Sequence, residues 1–130
     1  MQENSKSVFV VDASFMLAFL LRDSNSLKAD TYFKEYRSDK IVFVAPALLY
    51  YEVANGLKSA CLTKRIDQKQ CTRLLSLFLA LDIKTQVVDW DSILKVAFTK
   101  KISCYDASYV VLTRSLKAKL LTFDKQLKSH

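Results

Sequence analysis

The sequence predicts an α/β domain of three layers, α/β/α, with a central parallel sheet of about four strands. Three observations predict it. Apolar runs without polar alternation, the mark of strands buried on both faces, occur at Val8 to Val11 and Ile41 to Val44, and two further strand-like runs follow at Ile83 to Val88 and Lys119 to Phe123. Segments with apolar residues at helical spacing separate them, which favours parallel βαβ units with right-handed crossovers. The chain has one glycine, Gly56, and one proline, Pro46, too few turn residues for a sandwich or barrel of short hairpins.

The elements follow in order. Val8-Phe9-Val10-Val11 is β-branched and aromatic and reads as the first buried strand; it stops at Asp12, and Ala13 to Arg22 reads as helix. Lys28 to Arg37 is a charged helix with Ala29, Tyr32, Phe33 and Tyr36 at helical spacing. Ile41 to Val44 is the second strand, halted near Pro46. A long helix from Ala47 to Cys61 lays Leu49, Val53, Leu57 and Ala60 along one face. Asp67 suits an N-cap for the next helix, whose Leu74, Leu75, Phe78 and Leu79 face the core. Ile83 to Val88 reads as the third strand and Asp91 to Lys100 as helix. Ser103 opens a helix carrying Tyr105 to Leu116, and Lys119 to Phe123 is the last strand, ending at Asp124.

Composition narrows the function. A chain of 130 residues is one domain's worth and buries roughly two-thirds of its unfolded surface. Without repeats, low-complexity tracts or a linker, residues 1–130 read as one unit. The glycine count excludes a dinucleotide fingerprint and a phosphate-cradling P-loop. The net charge of +7 favours an anionic partner. Cys61, Cys71 and Cys104 are odd in number and lack a CxxC pair, so reduced core fillers in a cytoplasmic protein are expected. Met1 to Ser7 is polar, and the apolar run from Val8 to Leu21 is too short to span a bilayer, which takes roughly 20 apolar residues; no membrane association is expected.

The acidic residues carry the chemistry. Asp12 and Asp124 each follow a strand, where an aspartate also serves as an N-cap worth about 1 kcal/mol. Asp106 sits in Ser103-Cys104-Tyr105-Asp106, a sequence like a capping box, at the head of an apolar helix. Glu52 needs another reason. It lies mid-helix among Leu49, Tyr50, Tyr51, Val53 and Ala54, where unpaired buried charge is costly. In parallel sheets the working residues lie beyond the carboxyl ends of the strands, near a switch in strand order. Carboxylates crowded there cannot all ionise without compensation, and hard oxygen donors suit Mg²⁺ or Mn²⁺. The only histidine is His130, so a zinc or general-base mechanism built on histidine is poorly supplied.

Four segments carry a resemblance: Val-Val-Asp12-Ala-Ser14; Tyr51-Glu52-Val-Ala-Asn55-Gly-Leu; Tyr105-Asp106-Ala-Ser-Tyr-Val; and Leu-Leu-Thr122-Phe-Asp124-Lys-Gln-Leu. In this order they resemble the motif blocks of the PIN domain, most of all those of VapC toxins from toxin–antitoxin pairs. The likeness runs from about Val8 to Leu127. One departure is Lys117-Ala118-Lys119 before the last strand, where the family favours small residues.

The resemblance implies a PIN-like fold and a metal-dependent endoribonuclease using one or two Mg²⁺ or Mn²⁺ ions. It makes Asp12, Glu52, Asp106 and Asp124 both catalytic and metal-binding, with Ser14, Thr122 and Asn55 as polar accessories. External water would attack, leaving a 5′-phosphate and a 3′-hydroxyl. It also implies an RNA substrate, a VapB-type antitoxin and a homodimer. Lys58, Lys64, Arg65, Lys119 and Lys125 are candidates for RNA contact; Tyr50 and Tyr51 are candidates for base stacking, a subunit contact or the core. Two alternatives stay open: a catalytically inert PIN-like module that binds RNA or protein, and a phosphoacceptor receiver domain. The second wants an acidic pair before its acceptor aspartate, which Val8 to Val11 does not offer.

Overall fold

The computed structural model describes residues 6–129; Met1–Ser5 and His130 lie outside the described residues. The elements are β1 (Ser7–Val11), α1 (Ala13–Leu21), α2 (Ser26–Arg37), β2 (Ile41–Ala45), α3 (Leu48–Leu62), α4 (Gln68–Ala80), β3 (Lys84–Thr85), α5 (Trp90–Lys100), α6 (Cys104–Ser115), β4 (Lys119–Leu121) and α7 (Lys125–Lys128).

The strands form one parallel sheet in the order β3-β2-β1-β4. The chain steps from β1 outward to β2 and β3, then returns through α5 and α6 to lay β4 on the other side of β1. That reversal places a switch point between β1 and β4, where a crevice opens at the carboxyl ends. Right-handed crossovers then put α1–α4 on one face of the sheet and α5–α6 on the other, giving the three layers. The strand order also removes the receiver-domain alternative, whose sheet runs 2-1-3-4-5.

Burial follows the apolar pattern. Val10, Val11, Phe43 and Ala45 in the two central strands are wholly buried, as are Leu49 and Val53 of α3, while Leu57 and Ala60 on the same stripe are nearly so. Phe15 of α1 packs its ring on Phe33, Phe43, Tyr32 and Phe123, tying α1, α2, β2 and the end of β4 into one aromatic cluster. Gly56 leaves room for Leu17 of α1 against α3, since a Cβ there would lie 2.3 Å from a Leu17 methyl. Asp67 caps α4 in a full capping box with Gln70.

Four expectations need correction. Cys104, expected as a core filler, is exposed in the first turn of α6, and Cys61 and Cys71 are only partly buried. The third strand is only Lys84–Thr85, because Gln86 leaves the ladder after one bond to Ala45 and Val87 turns out to solvent. The last strand ends at Leu121, since Thr122 and Phe123 turn toward the loop after β1. On α4, Phe78 enters the core but Leu79 is half exposed, one helical step past the buried stripe.

Candidate active site

Asp12 follows β1 directly and caps α1, its Oδ1 accepting from the Phe15 N–H at 3.0 Å. Two hydroxyls complete its shell. Ser14 Oγ donates to Oδ1 at 2.8 Å and Thr122 Oγ1 donates to Oδ2 at 2.5 Å. Each hydroxyl has one proton and both point to Asp12, so the 3.2 Å between Ser14 Oγ and Thr122 Oγ1 is a contact rather than a third bond. The same oxygens then accept backbone N–H groups, Ser14 from Phe123 at 2.9 Å and Thr122 from Asp124 at 3.0 Å. The loop after β4 is thereby fixed against the loop after β1.

Asp12 is 4% exposed. Burial pushes its pKa up and outweighs the three hydrogen bonds that pull it down; the charge of Asp124 adds to the rise. Glu52 lies in the second turn of α3 and is half-buried. Burial raises its pKa as well, opposed by a hydrogen bond from Tyr109 and reinforced by Asp106 and Asp12. Tyr109 Oη donates to Glu52 Oε1 at 2.6 Å, and its own pKa is pushed far above the ordinary range by burial and by Glu52.

Asp106 lies in the first turn of α6, where the Ser103 hydroxyl accepts its N–H at 3.0 Å. Asp124 is exposed and caps α7, its Oδ1 accepting from Gln126 N at 2.9 Å. Capping and clustering thus coincide for Asp12 and Asp124, because the turn that starts a helix after a parallel strand also opens at the crevice. Asp12 lies within electrostatic reach of Asp124, and Glu52 within reach of Asp106 and Asp12. The ion pairs among the described residues, Lys6–Asp39 and Arg22–Asp30, involve other acids.

The acids are neighbours rather than a closed cage: among the described residues no three of His, Cys, Asp or Glu already converge as ligands. The donor set still fits a hard divalent ion. It offers carboxylate oxygens without imidazole or thiolate, two of them burdened by burial and by each other's charge.

The other sequence-predicted residues separate by position. Ser14 and Thr122 belong to the cluster, whereas Asn55 is exposed and bonds to none of the acids. Lys125 is exposed beside Asp124; Lys58, Lys64 and Arg65 are exposed further along α3 and its following turn, away from Glu52. Lys119 begins β4, about 10 Å along the strand from Thr122. It shares with Arg114, Lys128, Thr113 and Thr122 a groove of about 290 Å³. Tyr50 goes to the core, its hydroxyl donating to the Ile83 carbonyl at 2.8 Å, and Tyr51 is exposed. Sequence reading missed Tyr109, Arg114 and the groove. Asp106 and Tyr109 stand three apart, on one helix face, which was the available signal for Tyr109.

Comparison with known proteins agrees with the fold. The PIN domain family model matches residues 9–130. Ribonuclease VapC3 of Pyrobaculum aerophilum is 28% identical over 122 residues, covering 91% of this chain and 90% of its own. The crystal structure of PAE2754 from the same organism superposes with a TM-score of 0.74 at 26% identity, over 96% of this chain and 86% of that one. VapC20 of Mycobacterium tuberculosis, a sarcin–ricin loop cleaving toxin, shares the fold with a TM-score of 0.67 at 18% identity, over 95% of this chain and 94% of that one.

Proposed function

The chain belongs to the PIN domain family, and from that premise we propose that it is a VapC-type endoribonuclease hydrolysing RNA phosphodiesters with Mg²⁺ or Mn²⁺. A single observation carries the reading. Asp12, almost wholly buried, lies at the switch point within electrostatic reach of further carboxylates, and among the described residues its hydrogen-bond partners are two hydroxyls and a backbone N–H. A scaffold that only bound RNA would gain nothing from repelling acids placed where phosphate must approach. The likeness to Ribonuclease VapC3 supports the same class.

Asp12, Glu52, Asp106 and Asp124 would hold one or two ions. When bound, such an ion supplies a Lewis acid that makes water more acidic and neutralises charge on the phosphate. The chain's own groups do the rest. Ser14 and Thr122 hold Asp12 in one orientation through both of its oxygens. Asp106, at the head of α6, and Asp124, which is exposed, are the candidates to orient the attacking water, with 5′-phosphate and 3′-hydroxyl products. Lys119, Arg114 and Lys128 stand around a groove floored by Val110, Leu120 and Leu127 that reaches Thr122, and their charges suit a phosphate backbone at its rim. Lys125 beside Asp124 adds positive charge at the rim.

The partners follow from the same class: a cognate VapB-type antitoxin, and a second copy of this chain. The homodimer is supported by α5. Trp90, Leu94 and Phe98 recur every four residues on one face, 76%, 51% and 76% exposed, with Val87 and Tyr105 also exposed. Aromatic side chains contribute about 150–250 Å² each, so this stripe approaches the roughly 800 Å² per partner of an ordinary interface. No helix among the described residues is long and apolar enough to cross a membrane.

Incubation of the purified chain with transfer and ribosomal RNA tests the activity. Discrete cleavage with Mn²⁺ or Mg²⁺, abolished by chelation and by Asp12→Asn, is expected. Cleavage that survives Asp12→Asn would refute the assignment.

A further inference from the structure

We propose that Tyr109 is a positioning residue that sets the Glu52 carboxylate for ion binding; the inference rests on the metal reading above. The two residues belong to different crossovers, Glu52 to α3 after β2 and Tyr109 to α6 before β4, and meet through the 2.6 Å bond from Tyr109 Oη to Glu52 Oε1. Tyr109 is 1% exposed, its ring packed in the main core. A phenylalanine would fill that space as well and would need no partner. The hydroxyl adds one thing, a directed donor to an acid that otherwise turns freely about three side-chain torsions.

The consequence is specific. One oxygen of Glu52 is committed to an uncharged donor that leaves the carboxylate's negative charge in place. A lysine or arginine there would hold the acid equally well but cancel the charge an ion needs. A neutral hydrogen-bond partner of this kind orders a ligand without competing for it, and loss of such partners costs about 10–100-fold in metal affinity.

Titration of the full chain with Mn²⁺, following free Mn²⁺ by electron paramagnetic resonance, tests this without RNA. Tyr109→Phe is expected to weaken binding about 10-fold or more while urea unfolding stays cooperative. Against a Glu52→Ala background the same substitution is expected to change nothing further. Wild-type affinity in Tyr109→Phe, or an equal loss in the Glu52→Ala background, overturns the proposal while leaving the metal centre intact. A wild-type chain that takes up no more Mn²⁺ than Asp12→Asn overturns both readings together. Should Tyr109→Phe unfold, Glu52→Asp keeps Tyr109 and the charge but shortens the reach by one methylene. It is expected to show the same loss, and unchanged affinity there overturns the proposal equally.

Discussion

Thr122 donates its hydroxyl to Asp12 Oδ2 across 110 positions of sequence, joining the ends of β4 and β1 where the strand order reverses. The bond ties the buried acid to a neutral partner, which orients it without cancelling its charge.

That burial sets a pH dependence. The pKa of Asp12 is raised above its ordinary 3.8, chiefly by desolvation, so the folded chain holds this proton more tightly than the unfolded one. Its contribution to stability is complete below pH 3.8 and is lost as pH rises through the raised value. Glu52, raised above 4.5 for the same leading reason, acts in the same direction. In chelator, Asp12→Asn should therefore raise Tm at pH 7 by a few degrees, on a scale where 1 kcal/mol moves Tm by roughly 4 °C. The gain should shrink as pH falls toward 4. Calorimetry across that range checks it, and a gain that grows in acid contradicts the account.

The hydroxyls around Asp12 act as a unit. Thr122→Val removes one donor from a buried carboxylate and should cost about 1–3 kcal/mol. Ser14→Ala removes another donor and the acceptor for the Phe123 N–H, with a similar cost. Because both serve the same carboxylate, the double variant should cost less than the sum. Urea denaturation of the three variants gives the coupling directly; strict additivity would show that the cluster is not cooperative.

The stripe on α5 predicts an oligomeric state. The wild type should sediment at twice the 14.9 kDa of one chain, and Phe98→Asp, which puts charge on the stripe at an exposed position, should sediment as a monomer with unchanged circular dichroism. A wild-type monomer at tens of micromolar leaves the stripe without this role.

Scarcity of glycine predicts a simple stabilising change. Lys101 ends α5 in the left-handed region at φ 57°, a conformation costing a non-glycine residue about 1–2 kcal/mol. Lys101→Gly should gain about 0.5–1 kcal/mol after its own entropy cost, whereas Lys95→Gly, exposed in the middle of the helix, should lose about 1 kcal/mol. Thermal melts of the pair separate the two effects.

The fold was legible because buried parallel strands write themselves as unbroken apolar runs: Val8 to Val11 and Ile41 to Val44 sit at the centre of the sheet. Lys84–Thr85 was harder to bound, since an edge strand pairs on one side only and its end is set by one neighbour, here β2. Asp12 and Asp124 were legible from their place after strands. Tyr109 was not. Among Val110, Val111 and Leu112 it reads as one more core residue; the three-residue spacing from Asp106 marks its face, but the acid its hydroxyl meets comes from α3, across the sheet. The groove along β4 escaped for a similar reason, because Arg114 and Lys128 come together through the fold alone.

Crystallisation with Mn²⁺, read by anomalous scattering, tests the central claim most directly. The account predicts a peak at the carboxyl ends of β1 and β4, within coordination distance of oxygens from Asp12 and at least two of Glu52, Asp106 and Asp124. A crystal saturated with Mn²⁺ in which those carboxylates border no peak would contradict it.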